Sequence, residues 1–115
     1  MALTLFVAGC GSGGQASAPG TATPAPQRLV VEVAIADGNV TPTNATLQAK
    51  VGEPITLQVN SDVADELHVH SVPDHEFEVQ PKSGQSFEFT VSVPGSVDVE
   101  LHHLNRTVAT IQVQP

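Results

Sequence analysis

Cysteine is almost missing from this chain: Cys10 stands alone among 115 residues, which excludes an intramolecular disulfide and every Cys-x-x-Cys metal or redox motif. Tryptophan and tyrosine are absent altogether, removing the large amphipathic rings that most often anchor a protein interface. Lysine and arginine are scarce, 4 against 12 acids for a formal charge of -8. A phosphate backbone would be repelled by that field, so nucleic acid is excluded as a partner. The same field draws cations, although acidity of this order also serves solubility alone. Charged residues make up 14% of the chain, well below the quarter or so usual in soluble domains, too few for charge-laced helices. What is there instead is Val, Thr, Ser and Gly, a mixture suited to strands and turns. Neither a Ser-His-Asp set nor a paired-carboxylate arrangement stands out, and no enzymatic activity is expected.

Three segments follow from composition. Leu3 to Cys10 read Leu-Thr-Leu-Phe-Val-Ala-Gly-Cys, an apolar run ending in small residues directly before cysteine, which resembles the lipobox of bacterial lipoproteins. The resemblance implies that the Cys10 thiol receives a diacylglyceryl group and that cleavage makes it the new N-terminus. Small residues at Ala8 and Gly9 would give the peptidase access to the backbone. Secretory leaders open with a basic segment, and no Lys or Arg precedes Cys10. Residues 1–10 are therefore expected to be a truncated signal peptide whose true start lies upstream; genomic sequence with no in-frame basic extension would overturn that. The competing reading of Cys10 is a buried free thiol in a short apolar strand. Residues 11–27 are almost wholly Gly, Ser, Ala, Pro, Thr and Gln, with Pro19, Pro24 and Pro26 blocking regular structure and nothing large to bury, the composition of a disordered tether. At about 3.1 Å per residue it could hold a domain roughly 50 Å from a membrane. The protein is thus expected at the cell membrane, lipid-anchored and extracytoplasmic, attached rather than spanning.

Residues 28–115 read as one all-β domain. Short apolar alternations are separated by Asp37-Gly38-Asn39, Val51-Gly52-Glu53-Pro54, Lys82-Ser83-Gly84 and Pro94-Gly95, each a source of positive or preset φ. The pattern predicts antiparallel strands near Leu29–Ala36, Thr46–Lys50, Ile55–Asn60, Glu66–Val72, Phe77–Gln80, Ser86–Val93, Val97–His102 and Val108–Val113, together a two-sheet sandwich. Ile55, Leu57 and Val59 alternate with polar residues, as do Phe87, Phe89, Val91 and Val93, so each run has one buried and one wet face. The same period sorts the chemistry-bearing residues. Leu67 and Val69 share one face, leaving Glu66, His68 and His70 on the other; Val99 and Leu101 likewise leave Glu100 and His102 together. His75, beside Pro73 and Asp74, reads as a turn residue.

In that setting Val51-Gly52-Glu53-Pro54-Ile55, the stretch from Asn60 to His70, and Val93-Pro94-Gly95-Ser96-Val97-Asp98-Val99-Glu100 fall in the order and spacing of the cupredoxins, and the domain resembles that family. It is most similar to the cupredoxin-like domains of bacterial lipoproteins and periplasmic iron-uptake proteins, where an Asp-Glu-Leu-His strand and a Glu-Leu-His strand recur. The resemblance implies a Greek-key sandwich with one ligand histidine after the third strand, where His68 stands, and a ligand cysteine at or near Leu101. The thiolate is missing and no Met follows, so a blue-copper centre, which needs a thiolate with two imidazoles, is not expected.

What the two strands still offer is a His/Glu metal site: His68, His70 and Glu66 from one, His102 and Glu100 from the other, with His103 beside them. Opposed residues on neighbouring strands have Cβ atoms about 4.5 to 5.5 Å apart, close enough to share a cation. Imidazoles suit copper, with zinc as an alternative, and carboxylates admit iron. The expected function is binding or handing over a metal ion, with a metal-transport or envelope protein as partner and the chain a monomer. The alternative is a metal-free β-sandwich interaction module, in which these side chains simply decorate a wet sheet. His68-Val69-His70 also resembles the His-x-His of copper-zinc superoxide dismutases and multicopper oxidases, but the further ligands of the first and the extra domains of the second are not found.

Overall fold

The computed structural model describes residues 28–115; the leader, Cys10 and the tether lie outside the described residues. Nine strands run in chain order: β1 (Leu29–Ala36), β2 (Asn39–Thr41), β3 (Ala45–Lys50), β4 (Ile55–Ser61), β5 (Asp65–His70), β6 (His75–Val79), β7 (Gln85–Phe89), β8 (Gly95–Leu101) and β9 (Arg106–Gln114). They form a four-stranded sheet, β2-β1-β4-β7, packed on a five-stranded sheet, β3-β9-β8-β5-β6. Consecutive strands repeatedly change sheet, the Greek-key route expected from the sequence, and no described residue is helical.

The strands exist because apolar residues recur at every second position. Val31, Val33 and Ile35 of β1, Ile55, Leu57 and Val59 of β4, Leu67 and Val69 of β5, and Val97, Val99 and Leu101 of β8 are all buried between the sheets, while their alternates face water. The core is almost entirely branched aliphatic, and each fully buried Val, Leu or Ile contributes about 1.5 to 3 kcal/mol of apolar transfer free energy. In β9 the alternation slips: Val99 pairs with Ala109 but Glu100 with Thr107, so Val108 is an extra residue, a β-bulge. Val108 and Ala109 are consequently buried side by side.

Several expectations need correction. Pairing is mixed rather than wholly antiparallel, since β1 runs parallel to β4 and β3 parallel to β9; strands that are distant in sequence meet across the crossovers. A short strand, β2, was not anticipated. It follows directly from Asp37-Gly38, both at positive φ (53° and 75°), the two-residue turn that matches strand twist and returns the chain on itself. β7 ends at Phe89 rather than continuing to Val93: Val91 is buried, whereas Val93 is half exposed beyond the strand. β6 starts at His75 rather than Phe77. His75 is therefore not a turn residue. It pairs with Val69 and takes the inward face, where its ring lies parallel to Phe77 at 5.9 Å and 5.4 Å from Phe89.

Phe77 of β6 and Phe87 of β7 stack at 5.0 Å across the two sheets, closing the sandwich at the edge where no backbone ladder joins them. The opposite face of β5, β6 and β8 is left to polar side chains, and the candidate site lies there.

Candidate metal centre on the outer sheet face

β5 lies between β6 and β8, with His68 opposite Glu100 on one side and Glu76 on the other. Because inward positions are taken by Leu67, Val69, Val99 and Leu101, the outer face receives Glu66, His68 and His70 from β5, Asp98 and Glu100 from β8, and Glu76 and Glu78 from β6. Glu66 stands directly opposite Glu78, a like-charge pair that destabilises a sheet unless a cation is close. Among the described residues every basic side chain within 4.0 Å of a carboxylate is a histidine, and neither Lys nor Arg takes part.

His68 is the centre, its side chain only 16% exposed. Its Nε2 donates to both oxygens of Asp74 at 2.9 Å, and Glu76 Oε1 lies 4.0 Å away. Its Nδ1 is 3.0 Å from Nε2 of His102. The imidazole of His70 packs against it with ring centroids 3.9 Å apart and contacts Oε2 of Glu100 through Nε2 at 3.0 Å. His102 presents its other nitrogen, Nδ1, to Glu66 Oε1 at 3.6 Å. One ligand atom each of His68, His70 and Asp74 lies within 4.8 Å of the others, compact enough for a single cation.

Five of the residues singled out from sequence, Glu66, His68, His70, Glu100 and His102, are thus brought to one face. The contacts are mostly diagonal rather than straight across: His70 reaches Glu100, while Asp98, its direct partner, accepts from Thr110 Oγ1 at 2.8 Å. His103 is not part of the group. Its ring is 68% exposed and meets only Asp65, at 4.0 Å.

Two residues were missed. Asp74 sits in the β5–β6 connection, and counting back two positions from Glu76 puts it on the same face as His68; the signal was hidden only because β6 was expected to begin two residues later. Asp65 is an acid at an inward position, 2% exposed. Its carboxylate accepts from the backbone N–H groups of Glu66 (2.7 Å), His103 (2.8 Å) and Leu104 (3.1 Å). It thereby pins the β8–β9 turn and, with the His102 N–H bond to the Glu66 carbonyl at 3.0 Å, sets where the His102 ring stands.

No protein-family model and no curated protein matches the chain. Solved structures do. A variant of amicyanin in the Cu(I) state superposes with TM-score 0.50 at 19% identity, covering 74% of this chain and 82% of that one. A reduced amicyanin variant gives 0.51 with the same identity and coverage. Dithionite-reduced auracyanin from the photosynthetic bacterium Roseiflexus castenholzii gives 0.53 at 10% identity, covering 75% of this chain and 97% of that one. The fold is that of the cupredoxins.

A blue-copper centre nevertheless does not fit these residues. The described chain has no cysteine, so the thiolate such a centre requires is not supplied. Leu101, at or near which the resemblance places that cysteine, is 1% exposed and in the core, paired with Leu67.

Proposed function

Taking the cupredoxin-like fold as the premise, we propose that this protein binds a metal ion, copper foremost with zinc or iron as alternatives, on the outer face of its five-stranded sheet, and hands it over outside the cytoplasm. The observation that carries this reading is the convergence of His68, His70 and Asp74, with ligand atoms within 4.8 Å, on a face whose acids meet histidines and neither Lys nor Arg. Neutral imidazoles favour Cu(II) and Zn(II) in this ligand class. His70, His102 and Asp74 are each between about two-fifths and three-fifths exposed, so a partner's ligands could reach a bound ion without unfolding the site. That suits a carrier better than an enzyme, and transfer to a metal-transport or envelope protein is the role proposed, with the chain a monomer anchored through Cys10.

Calorimetric titration of the chain with Cu(II), Cu(I) and Zn(II), repeated on the His68→Ala, His70→Ala double variant, tests it. One-to-one binding lost in the double variant is expected. Heat no greater than that of an isolated surface histidine would reject metal handling and favour the interaction-module alternative.

A further inference from the structure

Presupposing the metal-binding reading, we infer that the site selects by oxidation state: its cargo is a divalent ion, Cu(II) foremost, taken by two imidazoles and one carboxylate, and Cu(I) is held more weakly. The donors are the three side chains whose ligand atoms the strands bring together, His68, His70 and Asp74. Asp74 accepts from Nε2 of His68 through both oxygens, so its carboxylate is turned into the cluster rather than out to water. His102 is hydrogen-bonded to Nδ1 of His68 and supports that ring.

Three properties of this donor set separate the two oxidation states. Sulfur is the first. Cu(I) is a soft ion selected by thiolate and thioether, whereas imidazole and carboxylate suit the harder divalent ions, and residues 28–115 contain neither Cys nor Met. Charge is the second. The attraction between a carboxylate and an ion scales with the ion's charge, so Asp74 contributes twice as much toward a dication as toward a monocation. Glu100, 3.0 Å from Nε2 of His70, and Glu76, 4.0 Å from Nε2 of His68, add to the same bias. Shape is the third. His68 and His70 stand two residues apart on one strand face with ring centroids 3.9 Å apart, so they meet an ion side by side. Cu(I) between two imidazoles favours donors on opposite sides, an arrangement that these neighbours do not offer, while Cu(II) accepts adjacent nitrogens with oxygen completing its shell.

The test is the dissociation constant of the full chain for Cu(II) in air and for Cu(I) without oxygen, each by competition with a chromogenic chelator of that ion, on the wild type, Asp74→Ala and Asp74→Asn. The wild type is expected to bind Cu(II) more tightly than Cu(I). Asp74→Ala should weaken Cu(II) binding about 10-fold, the low end for a charge-assisted contact, because Asp74 is more than half exposed. Cu(I) binding should weaken by only the square root of that factor, about 3-fold, since the lost energy scales with charge. Asp74→Asn keeps an acceptor for the His68 ring without the charge and should not restore Cu(II) affinity. Cu(I) bound as tightly as Cu(II), equal losses of both ions in Asp74→Ala, or rescue of Cu(II) binding by Asn would each overturn the selectivity while leaving metal binding intact. A wild-type chain that binds neither ion would overturn both. Circular dichroism of each variant separates loss of the fold from loss of the site.

Discussion

At the level of single residues, Asp65 illustrates how an acid can serve the site without touching it. Burying a carboxylate is costly unless its oxygens are satisfied, and here three backbone N–H groups satisfy them. Truncating the side chain leaves those part-buried donors without their partner, at about 1 to 3 kcal/mol for each unsatisfied group, less whatever water and relaxation of the turn recover. Asp65→Ala is therefore expected to lower stability by about 2 to 4 kcal/mol in urea unfolding, and Asp65→Asn to rescue little, because its NH2 would meet a donor. Metal affinity in Asp65→Ala should fall as well, since His102 loses its anchored turn. His68, His70 and His102 were legible from the alternation of two short strands, but Asp65 was not: an acid at an inward position looks like a pattern error until the turn that it binds is seen.

At the level of elements, strand periodicity predicted most of the sandwich, and it failed where a strand stopped before its pattern did. Phe87, Phe89, Val91 and Val93 keep a period of two, yet the strand ends at Phe89 and Val93 is 49% exposed. The pattern marks which side chains are apolar; where backbone pairing ends depends on the neighbour, and β4, which pairs with β7, begins at Ile55 opposite Phe89. The Phe77–Phe87 stack joins β6 to β7 across the sheets, and β6 carries Glu76 toward His68 from its outer face. Phe77→Ala is expected to cost about 2 to 3 kcal/mol, below the range for a fully buried ring because Phe77 is only partly covered. Hydrogen exchange should show β6 opening first in that variant, with β1 and β4 still protected.

For the whole molecule, charge dominates, with 12 acids against 4 bases. Lys and Arg take no part in the histidine face, so the acids there stand ready for cations. The lipobox reading of residues 3–10 makes a separate prediction: in a bacterial host the protein should partition into the detergent phase and take up labelled palmitate, and Cys10→Ser should do neither. Labelling that survives the substitution would remove the anchor from the proposed function. By itself the sequence determined the all-β class, the cupredoxin-like order of segments and the shared face of His68 and His70, because these depend on local period and turn chemistry. It also determined that no blue-copper thiolate is available, since Leu101 and the lone Cys10 are matters of composition. Only the tertiary structure decided that Asp74 closes on His68, that His102 rather than His103 joins the group, and that His70 reaches Glu100. Those facts rest on hairpin register, on diagonal contacts between strands and on a turn held by a buried acid, and such long-range geometry is set by packing of segments that the sequence keeps far apart.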